Sequence, residues 1–328
     1  MTISIMLDLI TIGDIKLDTF VVLNDASLQC QLKMPECQLC LDYGGKIVVE
    51  MVDSQIAGTA PNVAVGLSRM GQKTAVISNM GQDGTRKLSL EKLEKEKVST
   101  RFVRSIKGAK SAYSVVLNFK GEKTLLTAHN QNAYRLPKPL PETKWLYVGE
   151  MGNGYEPFFS NLARYVQKKK IRLGINPGTV QISERKPVLF ELIQKAEVLF
   201  VNRSEAQYLI SKTIDEITRL ATELYSLGAK VVVVTDGKNG AACFDGKTLL
   251  SIDIFPGKLV EATGAGDAFA TGFIGALMHG KTAKDALKWG SVNSASVIGQ
   301  VGPQDGLLSD RQIASRLKKH PSFKPKII

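Results

Sequence analysis

The residues best placed to do chemistry lie in one stretch, EATGAGDAFATGFIGALMHG, at positions 261–280. A Gly264-Ala265-Gly266 turn runs into an apolar segment with Phe269, Phe273 and Leu277 at four-residue spacing, which predicts a helix over about 265–279. A helix start carries backbone N–H groups with no internal acceptor, and its dipole favours negative charge there. Glycines let that backbone approach an anion closely. Asp267 then stands where a carboxylate reaches whatever lies beside the anion. An anion cradle with one adjacent base suits phosphoryl transfer to a hydroxyl. The same residues also read as a tight loop with Asp267 as a helix cap.

This segment resembles the second signature of the ribokinase/PfkB carbohydrate kinase family, usually DTxGAGD. Three further stretches carry the resemblance in the family's order. AGTAPNVAVGLSRMG (57–71) is similar to its first signature, VNRSEA (201–206) to its Asn-x-x-Glu motif, and VTDGKNGA (234–241) to its nucleotide-loop strand and turn. Together they cover about residues 7–310.

The resemblance implies an ATP-dependent kinase acting on a hydroxyl of a sugar or a nucleoside, with a catalytically inactive ligand-binding homologue as the alternative. It implies Asp267 as general base, with the amides around Gly264, Ala265 and Gly266 as the anion hole. On the acceptor side it implies Asp18, Gly58, Asn62 and Glu150. Asn202 and Glu205 would stand near Mg²⁺ and the phosphates. Thr235, Gly237 and Gly240 would meet the nucleotide, and Asn293 would line the adenine pocket. Simpler readings stand beside these: Asn62 as a helix cap, Glu150 as a solvated strand end, Asp236-Gly237 as an ordinary turn pair.

Some members bind a monovalent cation beside the anion hole. Glu261 and Thr263 occupy the matching positions, with Gly302 in a later loop, but Glu261 stands where Asp is usual, and its longer side chain counts against K⁺. Two other departures are Ala57-Gly58 for the usual glycine pair and Lys16 where Asn is common. A cation near the sugar pocket would signal a phosphorylated or otherwise altered acceptor, but the Lys16 side chain is expected to point away from the site. The Gly-Thr-Ala-x-Asn spelling of 58–62 is closer to nucleoside-kinase members.

The elements that must position these groups follow from the patterning. Strand-length apolar runs at about 7–12, 73–79, 144–149, 171–176, 197–201 and 230–235 alternate with amphipathic stretches. Helices are predicted near 61–70, 84–97, 155–169, 187–195, 203–210, 214–227, 265–279, 282–298 and 309–318. That alternation predicts an α/β fold with three layers: a mostly parallel sheet covered by helices on both faces. Segments 18–24, 46–56 and 111–128 read as strands without intervening helices. By resemblance they form a small β-sheet lid over the substrate site that often pairs with another subunit's lid, so a homodimer is expected. A single domain over 1–320 and a loose basic tail over 321–328 complete the reading.

The chain has 328 residues, 44% of them hydrophobic, which is the composition of a globular protein. No apolar run reaches membrane-span length, and the first residues lack a basic leader, so a cytoplasmic protein is expected. Lys and Arg number 43 against 31 acidic residues, a net charge of +12. The basic residues are scattered, which predicts a solvated surface rather than a nucleic-acid face. Cys30, Cys37 and Cys40 cluster without a nearby fourth ligand, so reduced thiols are expected rather than zinc. GALMHGKT (275–282) spells a P-loop but lies at a helix end rather than after a strand. His129, His279 and His320 are isolated; His129 and Asn130 lie in the lid, where they could touch substrate.

Overall fold

A computed structural model describes residues 6–24, 26–29, 38–120, 122–129 and 134–328. The strands are β1 (Leu7–Ile12), β2 (Lys16–Leu23), β3 (Ser27–Gln29), β4 (Gln38–Cys40), β5 (Val49–Ala57), β6 (Thr74–Met80), β7 (Ser99–Ser105), β8 (Ala112–Phe119), β9 (Glu122–Ala128), β10 (Thr143–Val148), β11 (Arg172–Ile175), β12 (Val198–Asn202), β13 (Val231–Thr235), β14 (Ala241–Phe244), β15 (Leu249–Ile252) and β16 (Lys326–Ile327). The helices are α1 (Thr59–Arg69), α2 (Gly84–Lys95), α3 (Glu156–Lys169), α4 (Thr179–Glu184), α5 (Pro187–Ile193), α6 (Arg203–Ile210), α7 (Ile217–Tyr225), α8 (Ala265–Met278), α9 (Ala283–Val297) and α10 (Asp310–Lys319).

The large sheet runs β16-β15-β14-β13-β12-β11-β10-β1-β6-β7. Its strands pair in parallel from β7 through β13, and the last three add antiparallel. Alternation along each strand sorts side chains between two cores. Ile10, Ile12, Leu146 and Val148 pack with α3, α5, α6 and α7 on one face. Leu9, Trp145 and Tyr147 pack with α1, α8, α9 and α10 on the other. Strands buried on both faces read as unbroken apolar runs, which is why the central ones were legible.

The polar strand β7, STRFVRS, was not predicted: at the sheet edge it buries only part of its surface and shows no apolar run. The C-terminal end is not a loose tail throughout. Ser251 and Leu250 pair with Lys326 and Ile327, so the chain closes on the far edge of the sheet.

The separate sheet β5-β2-β8-β9 forms the lid. β2 pairs antiparallel with β5 and parallel with β8, and β9 hairpins back along β8. Its strand β2 follows directly on β1, and its strand β5 runs directly into α1, so it overhangs the C-terminal ends of the parallel strands. In open α/β sheets those ends form the ligand crevice. No helix of the described residues is long and apolar enough to cross a membrane. Cys30 and Cys37 lie outside the described residues, as does Asn130.

Candidate active site

The site is assembled where β1, β10, β12 and β13 stop, beneath the lid and against the start of α8. Gly264 caps α8 at φ 77° and ψ 3°, and a Cβ there would come within 2.5 Å of the Pro303 Cβ. Only glycine accepts that conformation and that contact without strain. The Ala265 amide is partly committed, since it donates to Ala262 O at 3.3 Å. Among the described residues no protein acceptor meets the N–H of Gly266 or Asp267, and an added Cβ on Gly266 would meet nothing within 4 Å. The turn thus leaves free donors and open space for an anion.

Asp267 sits in the first turn of α8. Asn62 Nδ2 donates to its Oδ2 at 2.7 Å, and Gln304 Nε2 donates to Asn62 Oδ1 at 2.9 Å. Burial raises the Asp267 carboxyl to about 6, against the lowering effect of the Asn62 hydrogen bond and of Lys16. Each end of the buried Asn62 carboxamide thus has a protein partner, and one of them is the Asp267 carboxylate. Gln304 was missed, and no motif around it marks it.

Beyond Asp267 lies a cluster of ionisable groups. Asp18, buried on β2, is pushed upward by burial, offset by Lys16 and by Ser114, and its Oδ1 has no hydrogen-bond partner. The Lys16 ammonium meets Glu150 Oε2 at 2.5 Å inside the protein. Lys16 does not point away as expected: β2 begins at this cluster, and its alternation sends residues 16 and 18 to the same side. His129 Nδ1 lies 3.0 Å from Asp14 Oδ2 and its Nε2 lies 3.3 Å from Glu150 Oε1. The hydrogen bond to Asp14 holds the imidazole above its ordinary range. Tyr134 donates to Asp14 Oδ1 at 2.6 Å. Neither Asp14 nor Tyr134 belongs to the expected set. At Gly58 the close approach is to protein, since an added Cβ would meet Asp14 O at 2.3 Å.

On the other side of Gly266 a cavity of about 280 Å³ is walled by Thr235, Gly237 and Gly240 and by apolar Ile254, Phe255 and Leu259. Asn293 is not in its wall. Its amide donates to Ala268 O at 2.7 Å and its carbonyl accepts from Leu308 N at 2.9 Å, so it ties α9 to α8 and to the segment before α10. The wall positions on α9 are instead Ser291, Ser294, Ala295 and Ile298 at its end.

Asn202 and Glu205 form a reciprocal capping box on α6, with Asn202 Oδ1 accepting from Glu205 N and Glu205 Oε2 from Asn202 N, both at 2.9 Å. Burial raises Glu205 to about 7, with Asp267 and Glu150 adding to the rise. Among the described residues no three His, Cys, Asp or Glu side chains converge as a metal cage.

Glu261 and Thr263 do not frame an open cation position. Lys123, on β9 of the lid, forms an ion pair with Glu261 and donates to Thr263 Oγ1 at 3.0 Å. The P-loop spelling is confirmed as a helix end, with Gly280 at φ 71° just past α8.

The profile of the pfkB family carbohydrate kinases matches residues 21–310. The chain belongs to that family. Proteins similar in sequence include an ATP-dependent 6-phosphofructokinase of Thermoanaerobacterium thermosaccharolyticum, 24% identical over 80% of this chain and 84% of that protein. A 5-dehydro-2-deoxygluconokinase of Geobacillus thermodenitrificans is 24% identical over 88% of this chain and 93% of its own. The fold is that of Arabidopsis thaliana ribokinase, solved with ribose and ATP, at TM-score 0.77, 20% identity and 95% and 99% coverage. The nucleoside kinase of Methanocaldococcus jannaschii aligns at TM-score 0.73, 18% identity and 95% and 99% coverage. Like its pfkB relatives, the chain is a phosphotransferase with an alcohol group as acceptor.

Proposed function

We propose that this pfkB kinase transfers the γ-phosphoryl group of ATP to a hydroxyl of a neutral sugar or nucleoside. The observation that carries the reading is the Asp267 carboxyl, fixed by Asn62 beside the free amides of Gly266 and Asp267. Asp267 takes the proton of the acceptor hydroxyl, whose oxygen attacks the γ-phosphorus as the bond to the β-phosphate oxygen breaks. The amides at the start of α8 meet the charge that develops on the transferred group. The apolar cavity beside Thr235 and Gly240 suits a nucleobase and its sugar. Mg²⁺ would neutralise the phosphates. With one raised carboxylate near, Glu205, and no protein cage, it would keep mostly water and phosphate ligands.

The acceptor end supports a neutral polyol. Lys16 and His129 reach it but are already held by Glu150 and Asp14, leaving Asp18 Oδ1 to accept from acceptor hydroxyls. An exposed edge strand, β9, with Leu125 and Leu126 open on opposite faces, supports a homodimer formed through the lid. A screen of ADP release over free sugars, nucleosides and sugar phosphates tests the reading. Turnover is expected with an unphosphorylated acceptor, and turnover only with a sugar phosphate would overturn it.

A further inference from the structure

Glu261 is buried at the entrance to the anion-hole turn. Its Oε1 accepts from Thr263 N at 2.7 Å and its Oε2 accepts from Gly302 N at 2.9 Å. One side chain thus clamps two loops, 261–263 and 301–303. Gly264 follows Thr263 directly, and Pro303, which packs against Gly264, follows Gly302. A carboxylate this deep is costly unless a positive charge compensates it. That charge comes from the lid: Lys123 reaches down from β9 to pair with Glu261 and to donate to Thr263 Oγ1. The lid touches the second loop as well, where Gln55 of β5 donates to Val301 O at 3.3 Å.

We infer that Lys123 is the resident cation of this position, so that a lid ammonium rather than a dissolved monovalent ion neutralises Glu261 and holds the anion-hole turn. The donor set does not fit a free ion in addition. The oxygens that such an ion would bind, from the Glu261 carboxylate and the Thr263 hydroxyl, already receive the ammonium. An ammonium group and K⁺ carry the same charge in nearly the same volume, so the exchange needs no rebuilding of the loops. Lys123 is a positioning residue: it acts on the transferred phosphoryl through Glu261, Thr263 and Gly264. It also makes the turn's order depend on the lid being seated.

The test compares wild type, Lys123→Met and Lys123→Arg in potassium, sodium and choline chloride at constant ionic strength. The wild-type rate and melting temperature are expected to be the same in all three. Lys123→Met should lose roughly tenfold or more in kcat in choline, because a buried carboxylate is left uncompensated. Potassium should restore part of that rate and raise the variant's melting temperature, as an ion bound to the folded state must. Lys123→Arg should stay indifferent to the salt. The inference rests on the proposed kinase reaction only for its rates; the melting series needs no turnover and judges it separately. Specific stabilisation of wild type by potassium would overturn it, as would a Lys123→Met protein whose melting temperature potassium leaves unmoved.

Discussion

Asn62 Nδ2 stands 2.7 Å from Oδ2 of Asp267, across the gap between α1 and α8. The contact joins two segments 205 residues apart in sequence, and Gln304 fixes the far side of the Asn62 amide. An orienting partner of a base affects turnover more than acceptor binding. Asn62→Leu is expected to lower kcat by roughly 10²-fold, the scale of a misplaced catalytic group, with a small change in acceptor KM. Steady-state kinetics decides it: a rise in KM at constant kcat would return Asn62 to the acceptor site.

On the proposed mechanism Asp267 is expected to set the acid limb of the pH profile. Its carboxyl is raised by burial to about 6 from the ordinary 3.8, and the base works only when ionised, so kcat/KM should fall as pH drops below about 6.

The same shift carries a stability sign. A carboxyl whose folded pKa lies above its unfolded value stabilises the fold below the unfolded pKa, and that contribution is lost as pH rises through the folded pKa. Asp267→Asn should therefore abolish turnover and yet be more stable than wild type at pH 8, by roughly 3 kcal/mol. The difference should shrink toward pH 4. Denaturant unfolding at both pH values measures it, and a destabilised variant at pH 8 would place Asp267 in a structural role.

How much of this was legible in the sequence depends on what each feature is made of. Apolar runs such as VLFV and VVVV declare a strand buried on both faces, and GAGD declares a helix start. The edge strand β7 and the two-residue β16 bury too little to leave such a trace. The site's polar wiring is less readable still, because it depends on which ends meet. Asp14 lies beside His129, 115 residues on, only since the lid folds back over β1. Lys123 reaches Glu261 across 138 positions for the same reason. The Asn202–Glu205 capping box joins residues only three apart, yet by resemblance that pair reads as standing near Mg²⁺ and the phosphates and not as a cap.

Lys16 and Glu150 form a largely buried ion pair, with Asp18 and Asp14 close enough to strengthen the charge on Lys16. Lys16→Met would leave the Glu150 carboxylate with only His129 Nε2 beside it and is expected to cost about 3 kcal/mol. The double variant Lys16→Met with Glu150→Gln should regain much of that stability. Unfolding measurements on the four proteins test the coupling, and additive losses would show that the two residues act independently.

Gly264 and Gly266 flank Ala265 in the same turn but answer to different constraints. Gly264 has φ 77°, and a Cβ on it would strike Pro303, which is buried protein. Gly264→Ala should therefore lower stability by roughly 1–3 kcal/mol, the range for strained backbone, and turnover should fall with it. Gly266 is helical, and a Cβ there meets only open cleft. In a helix Ala is favoured over Gly, so Gly266→Ala should fold at least as stably as wild type. Its methyl would nonetheless stand where the anion must approach the amides, so nucleotide KM should rise and kcat fall. Melting curves set beside nucleotide kinetics for the two variants separate strain from occlusion. A Gly266→Ala enzyme with wild-type kinetics would mean that the phosphates pass elsewhere than over this turn.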